Sequence, residues 1–354
     1  MQIAHIEVTP TQLKLQTPFH SAAQPEPVTQ IEVVFIRAEP VRDYGDAWGC
    51  AVLDPADETA LEQVTRACQA CAAKLHDLNP LNTQFALAEL SGLMNGLSAV
   101  RSAFDMLLYD LLGLWSGLPL YRLLGGYRDR IQTSITLGLD DVPATVENAK
   151  KRAHDGFRIL KLKGGIDPEL DVRRVRAVHR ALPDLILRLD ADQGYSVKSA
   201  LEVARVLEGK LEFLEQPTPA EDLLALRQVT ENSPVPILAD ESLRGPASAL
   251  EIANQRAAHG LSTKLASCGG LDCARQIDTI ARAGHLSTMV GCMNEPALHI
   301  AAGLAFALSS PNIRYGDLDG HFDLENDPSI PGFEFRDGWL IATEMPGLGC
   351  RVDL

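Results

Sequence analysis

Four charged residues set at nearly equal intervals constrain the fold of this chain more than any other feature. Asp190, Glu215, Asp240 and Lys264 follow one another at 25, 25 and 24 residues, and each stands at the end of a candidate strand: RLD, FLE, LAD and STK. One strand with its return helix takes about that length, so the four side chains occupy equivalent positions on four successive parallel strands. From Ile131 onward the alternation is continuous. Candidate strands are 132–137, 158–163, 185–190, 211–215, 236–239, 260–264, 286–290 and 313–317, with helical stretches such as 145–154, 170–181, 197–207 and 271–283 between them. Eight such units predict a closed (β/α)8-type barrel. An open doubly wound sheet would place a glycine-rich phosphate loop after its first strand, and the segment GLDDVPAT after Leu137 has none. The eighth strand is followed by irregular sequence where its helix should stand, so the barrel is expected in modified form.

The residues ahead of the alternation pattern differently. Strands are expected over 3–15, 31–37 and 47–53, with the Pro-rich stretch TPFHSAAQPEPV between the first two as a loop. Helices are expected over 58–76, 84–94 and 99–116, the last apolar on most sides and therefore buried. Strands followed by helices predict an α+β capping domain over residues 1–125, ahead of a barrel over 126–329. The segment 330–354 has strand and turn composition and is expected to return to the first domain.

Composition narrows the function classes. A formal net charge of −15 leaves no basic stripe to neutralise phosphates, which argues against nucleic acid. No apolar run reaches the ~18 residues that a membrane span needs. The N-terminus alternates like a strand and lacks a leader profile, so a cytoplasmic enzyme is expected. The seven cysteines are scattered; Cys68 and Cys71 sit in a helical run with no second pair, as structural thiols of a reducing compartment would.

The chemistry lies at the strand ends, where barrel enzymes keep their active sites. Three carboxylates side by side repel and each pays for desolvation, unless a cation lies between them. Oxygen ligands alone, with no His or Cys, suit a hard ion such as Mg2+, held by Asp190, Glu215 and Asp240. The second strand ends KLK, and Lys161 and Lys163, two apart, point to one face. In a ring of eight, the second and sixth strands are opposite, so Lys163 and Lys264 face each other across the cavity with the carboxylates on the arc between. A metal on a substrate carboxylate stabilises an enolate, and a buried lysine with its pKa lowered to about 7–8 can serve as base. Two such lysines on opposite faces invert a stereocentre. Racemisation or epimerisation is the simplest reaction for the arrangement.

The ordered set KLK, LDAD, LEQP, ADES and TKLASCGG resembles the enolase superfamily, muconate-lactonizing subgroup, over nearly the whole chain. The resemblance implies Mg2+ on the three carboxylates, acid/base roles for Lys163 and Lys264, and electrostatic assistance from Lys161. The subgroup usually carries Asn two residues after its first metal ligand, where this chain has Asp192. The DLD of Asp317 and Asp319 is similar to the pair that holds the substrate α-ammonium in dipeptide epimerases of the subgroup. The segment Cys292-Met293-Asn294-Glu295 also looks like those enzymes, which places Cys292, Met293 and Glu295 among the expected substrate-binding residues. L-Ala-D/L-Glu epimerases carry an arginine in the first loop past its Pro-Phe. Counted from Pro18-Phe19, that position holds Gln24, which cannot form the bidentate ion pair with a glutamate side chain.

The expectation is thus a dipeptide epimerase acting by 1,1-proton transfer on the C-terminal residue of its substrate, with a homo-oligomer compatible with the sequence. Other reactions of the subgroup are the first alternative: cycloisomerisation, o-succinylbenzoate synthesis or N-acylamino-acid racemisation. A catalytically dead barrel serving as a binding protein is the second, opposed by the presence of all three acids and all three lysines.

Overall fold

The computed structural model describes residues 1–22, 24–55 and 59–354, without the side chains of residues 24 and 25. The chain opens with an antiparallel sheet of β1 (Ile3–Ser21), β2 (Gln24–Pro40) and β3 (Ala47–Val52), in that order. Helices α1 (Leu61–Leu75), α2 (Thr83–Leu90), α3 (Ser98–Ser116) and the short α4 (Leu120–Leu123) follow. Cys68 and Cys71 face the α1 side of this layer's core, fully buried beside Val34, Ile36 and Phe104. All seven cysteines are free thiols.

The stretch expected as a loop is instead the far end of a long hairpin. β1 and β2 pair from Ile3↔Pro40 to Ser21↔Gln24, with register shifts on either side of Phe19. Proline composition suggested a loop because Pro cannot donate to a ladder. Pro25 and Pro27, however, lie in the part of β2 beyond the reach of β3, which pairs only with Val33–Ala38. Proline is tolerated where a strand has one unpaired edge.

β4 (Arg130–Gln132) leads into eight parallel strands: β5 (Ser134–Leu137), β6 (Ile159–Lys163), β7 (Ile186–Asp190), β8 (Leu214–Glu215), β9 (Ile237–Ala239), β10 (Gly260–Lys264), β11 (Ser287–Gly291) and β12 (Ile313–Gly316). Each pairs with its neighbour in sequence, from β5 to β12. The seam between β5 and β12 is narrow: a single Thr133↔Gly316 bridge, with Thr133 Oγ1 accepting from the Leu318 amide at 2.8 Å. Outside run α5 (Val142–His154), α6 (Pro168–Ala181), α7 (Val197–Val206), α8 (Leu223–Asn232), α9 (Pro246–Gln255), the four-residue α10 (Leu265–Cys268), α11 (Leu271–Ala283) and α12 (Ala297–Ala307). Asp141, Asp167, Ser196 and Asp222 cap the first four of these by accepting backbone N–H groups, which the sequence provides as Asp or Ser ahead of each apolar repeat.

After β12 no α-helix follows among the described residues. Four short strands do: β13 (Ser329–Ile330), β14 (Phe333–Arg336), β15 (Trp339–Ala342) and β16 (Arg351–Val352). β15 pairs with β14 and with β4, and β13 pairs with β16. Beyond β15 the chain meets α3 and α4. The Leu120 amide donates to Gly347 O at 2.8 Å, and Asp110 accepts from Leu348 N at 2.7 Å and from Trp48 N at 2.9 Å. No helix among the described residues is long and apolar enough to cross a membrane.

Candidate active site

Strand register brings the charged residues into one layer. Lys163 sits beside Asp190 across β6 and β7, and Asp190 beside Glu215 across β7 and β8. Glu215 pairs with Leu238, so Asp240, two residues on, emerges on the same face just past β9. Period-2 alternation sends all of these inward at the C-terminal mouth. One oxygen from each of Asp190, Glu215 and Asp240 falls within 4.8 Å of the others, and all three residues are buried. Neither oxygen of Glu215 accepts a hydrogen bond. A buried carboxylate with neither oxygen hydrogen-bonded, aimed at two further carboxylates, is costly and is what a hard divalent cation satisfies. The donor set fits Mg2+.

The lysines close on this group from two sides. Lys163 Nζ lies 2.8 Å from Asp190 Oδ2 and 2.6 Å from Asp192 Oδ1, and Lys264 Nζ lies 2.5 Å from Asp240 Oδ2. Lys161 Nζ contacts Asp317 and is 3.4 Å from Asp190 and 3.6 Å from Glu215. β6 and β10 stand four places apart in the eight-stranded order, so Lys163 and Lys264 come from opposite sides of the ring. Burial alone would lower the lysines, as the sequence reading expected. Here it is outweighed: Asp190 and Asp192 hold the Lys163 ammonium above its ordinary range, and Asp240 with Glu241 does the same for Lys264. Lys161 is raised against its burial by Asp317, Glu215 and Asp190. Burial pushes the Glu215 carboxyl well up, whereas the three lysines overcome burial at Asp190 and pull it below the usual carboxylate range.

A cavity of ≈ 670 Å³ opens above this layer, walled by residues of the N-terminal sheet such as Phe19, Ser21 and Val52 and by the three lysines. Asp319, Cys292, Met293 and Asn294 also line it. Asp317 and Asp319 are not equivalent. Asp319 reaches the cavity while accepting from Thr136 N at 2.6 Å and Cys292 Sγ at 3.3 Å. Asp317 is 1% exposed and engaged by Lys161 and Ser134. Glu295 departs from expectation: it is absent from the cavity wall and buried, 3.0 Å from His299 Nδ1. The cause is local, since Pro296 precedes α12 and sets Glu295 one helical turn before His299, facing the interior. The side chain of Gln24 lies outside the described residues.

Two neighbours of the centre were not among the expected site residues, although Asp192 stood out in the sequence as a departure from the usual Asn. Asp192, which also accepts from the Ala22 amide at 3.3 Å, joins the capping hairpin to Lys163. Its φ of 41° is a conformation that Asp and Asn tolerate best. Arg188 fills the barrel floor, bonding Ser134 Oγ at 3.0 Å, Gly316 O at 2.8 Å and Glu212 at 2.7 Å. The signal was present: Arg188 and Asp192 each lie two residues from Asp190, on the inward register.

The Enolase C-terminal domain-like family matches residues 144–354. The L-Lys-D/L-Arg epimerase of Methylococcus capsulatus is 42% identical over 264 residues, 74% of either chain. The crystal structure of the dipeptide epimerase from that organism, complexed with Mg and the dipeptide L-Arg-D-Lys, superposes with a TM-score of 0.90 at 34% identity over 99% of both chains. That of the Enterococcus faecalis V583 dipeptide epimerase, complexed with Mg and L-Leu-L-Tyr, gives 0.92 at 30% identity, again over 99% of both. Fold, motif order and these likenesses agree that the chain belongs to the enolase superfamily, among relatives that are dipeptide epimerases.

Proposed function

We propose that the protein is a Mg2+-dependent dipeptide epimerase that inverts the α-carbon of the C-terminal residue, with residues 1–125 capping the barrel mouth. The observation that carries the reading is the pair Lys163 and Lys264, on opposite strands of the ring, flanking three buried carboxylates that converge on one point. Asp190, Glu215 and Asp240 would hold the metal. Bound there, Mg2+ supplies positive charge that stabilises a substrate enolate and offsets the carboxylate field that keeps the lysines protonated. One lysine, as the neutral amine, takes the α-proton from its face. The opposite ammonium returns a proton to the other face, and the stereocentre is inverted with no net change in protons. Lys161, held by Asp317, adds fixed positive charge beside the forming enolate. Asp319, with Asp317 behind it, receives the α-ammonium of the dipeptide.

The wall also speaks to the substrate class. Its cations among the described residues are the three lysines and Arg244, and Arg244 is already paired with Glu221 at 2.9 Å. Carboxylates are more numerous, with Glu241 and Asp323 beside those of the centre, although Asp323 is paired with Arg152 at 2.5 Å and burial pushes the Glu241 carboxyl up to about 8. A dipeptide with basic or apolar side chains suits this wall better than one ending in glutamate; relatives named L-Lys-D/L-Arg epimerase and hydrophobic dipeptide epimerase support that choice, while others at 33% and 34% identity are named L-Ala-D/L-Glu epimerases. The test is incubation of an L,L-dipeptide library with enzyme and Mg2+ in D2O, read by mass for gain of one deuterium. Incorporation into basic or apolar dipeptides is expected; no incorporation into any dipeptide would remove the reading.

A further inference from the structure

Behind Lys163, and outside the cavity wall, two side chains bond the backbone around that one lysine and a third, Tyr195, bonds one of the two. Arg174, on α6 and 1% exposed, donates from Nη1 to Lys163 O at 2.6 Å, from Nη2 to Gly138 O at 2.5 Å and from Nε to Thr145 Oγ1 at 2.9 Å. Asp171, also 1% exposed, accepts from Arg174 Nη1 at 3.3 Å, from Gly165 N at 2.9 Å and from Tyr195 OH at 2.6 Å. The backbone of Tyr195 is fixed in turn, its amide donating to Pro217 O at 2.9 Å. Lys163 is thereby held at its own carbonyl and again two residues later. The turn has no slack: a Cβ on Gly164 would come 2.7 Å from Asp171 Oδ2, and one on Gly165, at φ 103°, would come 2.1 Å from Ala191 O.

Burying an arginine–aspartate pair is expensive, and well-packed apolar residues would fill the same space at no such cost. The bonds of this group converge on the exit of β6 and reach the exits of β5 and β7. Lys264, on the opposite side, has no such support. It runs directly into α10, whose end is closed by the Gly269 and Gly270 amides on Leu265 O. Among the described residues no charged side chain bonds the backbone of Lys264, Leu265 or Ala266.

We infer that Arg174, Asp171 and Tyr195 are positioning residues for Lys163 alone, and so set the rate of proton exchange on one face of the substrate relative to the other. This rests on the two-lysine reading above. Displacing a catalytic group by a fraction of an ångström costs rate steeply, and here the displacement would reach only one of the two bases. Loosening the group should therefore leave an enzyme whose two half-reactions are unequal.

The experiment measures deuterium gain in D2O from each epimer separately, using L-Lys-L-Arg with L-Lys-D-Arg and L-Leu-L-Tyr with L-Leu-D-Tyr. The variant Lys163→Ala first identifies the epimer whose exchange depends on Lys163. In Tyr195→Phe, which removes one hydrogen bond and no volume from the core, exchange from that epimer should fall roughly 10–100-fold, while exchange from the other stays within about twofold. Arg174→Lys should show the same bias more strongly, and if it does not fold, Tyr195→Phe decides alone. A merely structural role would lower the melting temperature and slow both epimers alike. Equal slowing, no slowing, or greater slowing of the Lys264-dependent epimer would overturn the inference while leaving the epimerase reading intact. Absence of wild-type exchange from both epimer pairs and from every member of the L,L-dipeptide library would overturn the reading, and the inference with it.

Discussion

Glu215 is the residue on which the metal argument turns, because both of its oxygens are buried without a hydrogen bond and burial pushes its carboxyl up. A group in that state destabilises the metal-free protein and stabilises the loaded one. Replacing Glu215 with Gln should therefore leave the melting temperature after chelation unchanged or higher, yet abolish the rise that Mg2+ produces in the wild type by mass action. Thermal melts with EDTA and with a Mg2+ series test both halves. A normal Mg2+-dependent rise in the variant would sink the assignment. The lysines make a complementary case. Lys163→Ala or Lys264→Ala should lower epimerisation by roughly 100- to 10,000-fold, the usual span for a lost acid/base group. Each should still wash solvent deuterium into one epimer, by the base that remains. Wild-type epimerisation in both variants would show that the bases lie elsewhere.

At the scale of elements, the C-terminal tail is fastened through one side chain. Asp110 of α3 accepts from Trp48 N of β3 on one oxygen and from Leu348 N of the tail on the other. An amide can accept at only one of these positions, because its nitrogen has no lone pair to offer. Asp110→Asn should thus cost about 1–3 kcal/mol, the penalty for an unmet buried donor. Burial also pushes the Asp110 carboxyl up to about 7, above the ~3.9 of an unfolded chain. The folded state then binds a proton that the unfolded state releases, so this group's contribution is complete below pH ~4 and is lost as pH rises through about 7. Denaturant titrations across that window should show a shallower decline for Asp110→Asn than for wild type. A parallel decline would mean that Asp110 is ionised throughout. Elements of this kind were the least legible in the sequence. The middle barrel strands announced themselves because a charged residue recurs where the pleat turns inward at the mouth, from β6 to β10. The β1–β2 hairpin did not, since its prolines carry a loop signature that only the unpaired edge of β2 excuses. Nor could periodicity reveal that Glu295 turns away from the cavity, which depends on where α12 begins, or that Arg174 reaches back from a helix to the carbonyl of Lys163.

The whole molecule carries a formal charge of −15, and its cavity wall offers carboxylates in excess of cations. A field of one sign focused into a low-dielectric cleft raises the local concentration of oppositely charged ligands and their association rates. L-Lys-L-Arg carries net positive charge and L-Ala-L-Glu net negative charge, so the two should respond to the same field in opposite directions. Because charges separated by more than about 8 Å are screened at physiological ionic strength, kcat/KM for L-Lys-L-Arg should fall several-fold as salt rises, while that for L-Ala-L-Glu stays low and changes little or increases. The ammonium end of the dipeptide adds a short-range contribution that salt does not remove. A charge-assisted hydrogen bond to Asp319 is worth about 1.5–3 kcal/mol, so N-acetylation should reduce kcat/KM at least about tenfold at every ionic strength. Initial rates for the free and N-acetylated forms of both dipeptides, measured over a salt series, separate these contributions. If the acetylated compounds turn over as well as the free ones, the Asp317–Asp319 pair does not bind the ammonium and an N-acylamino-acid racemase becomes the better reading. If L-Ala-L-Glu is the faster substrate at low salt, the carboxylate-rich wall does not select the side chain, and the segment around Gln24 must present the glutamate with a donor of another kind.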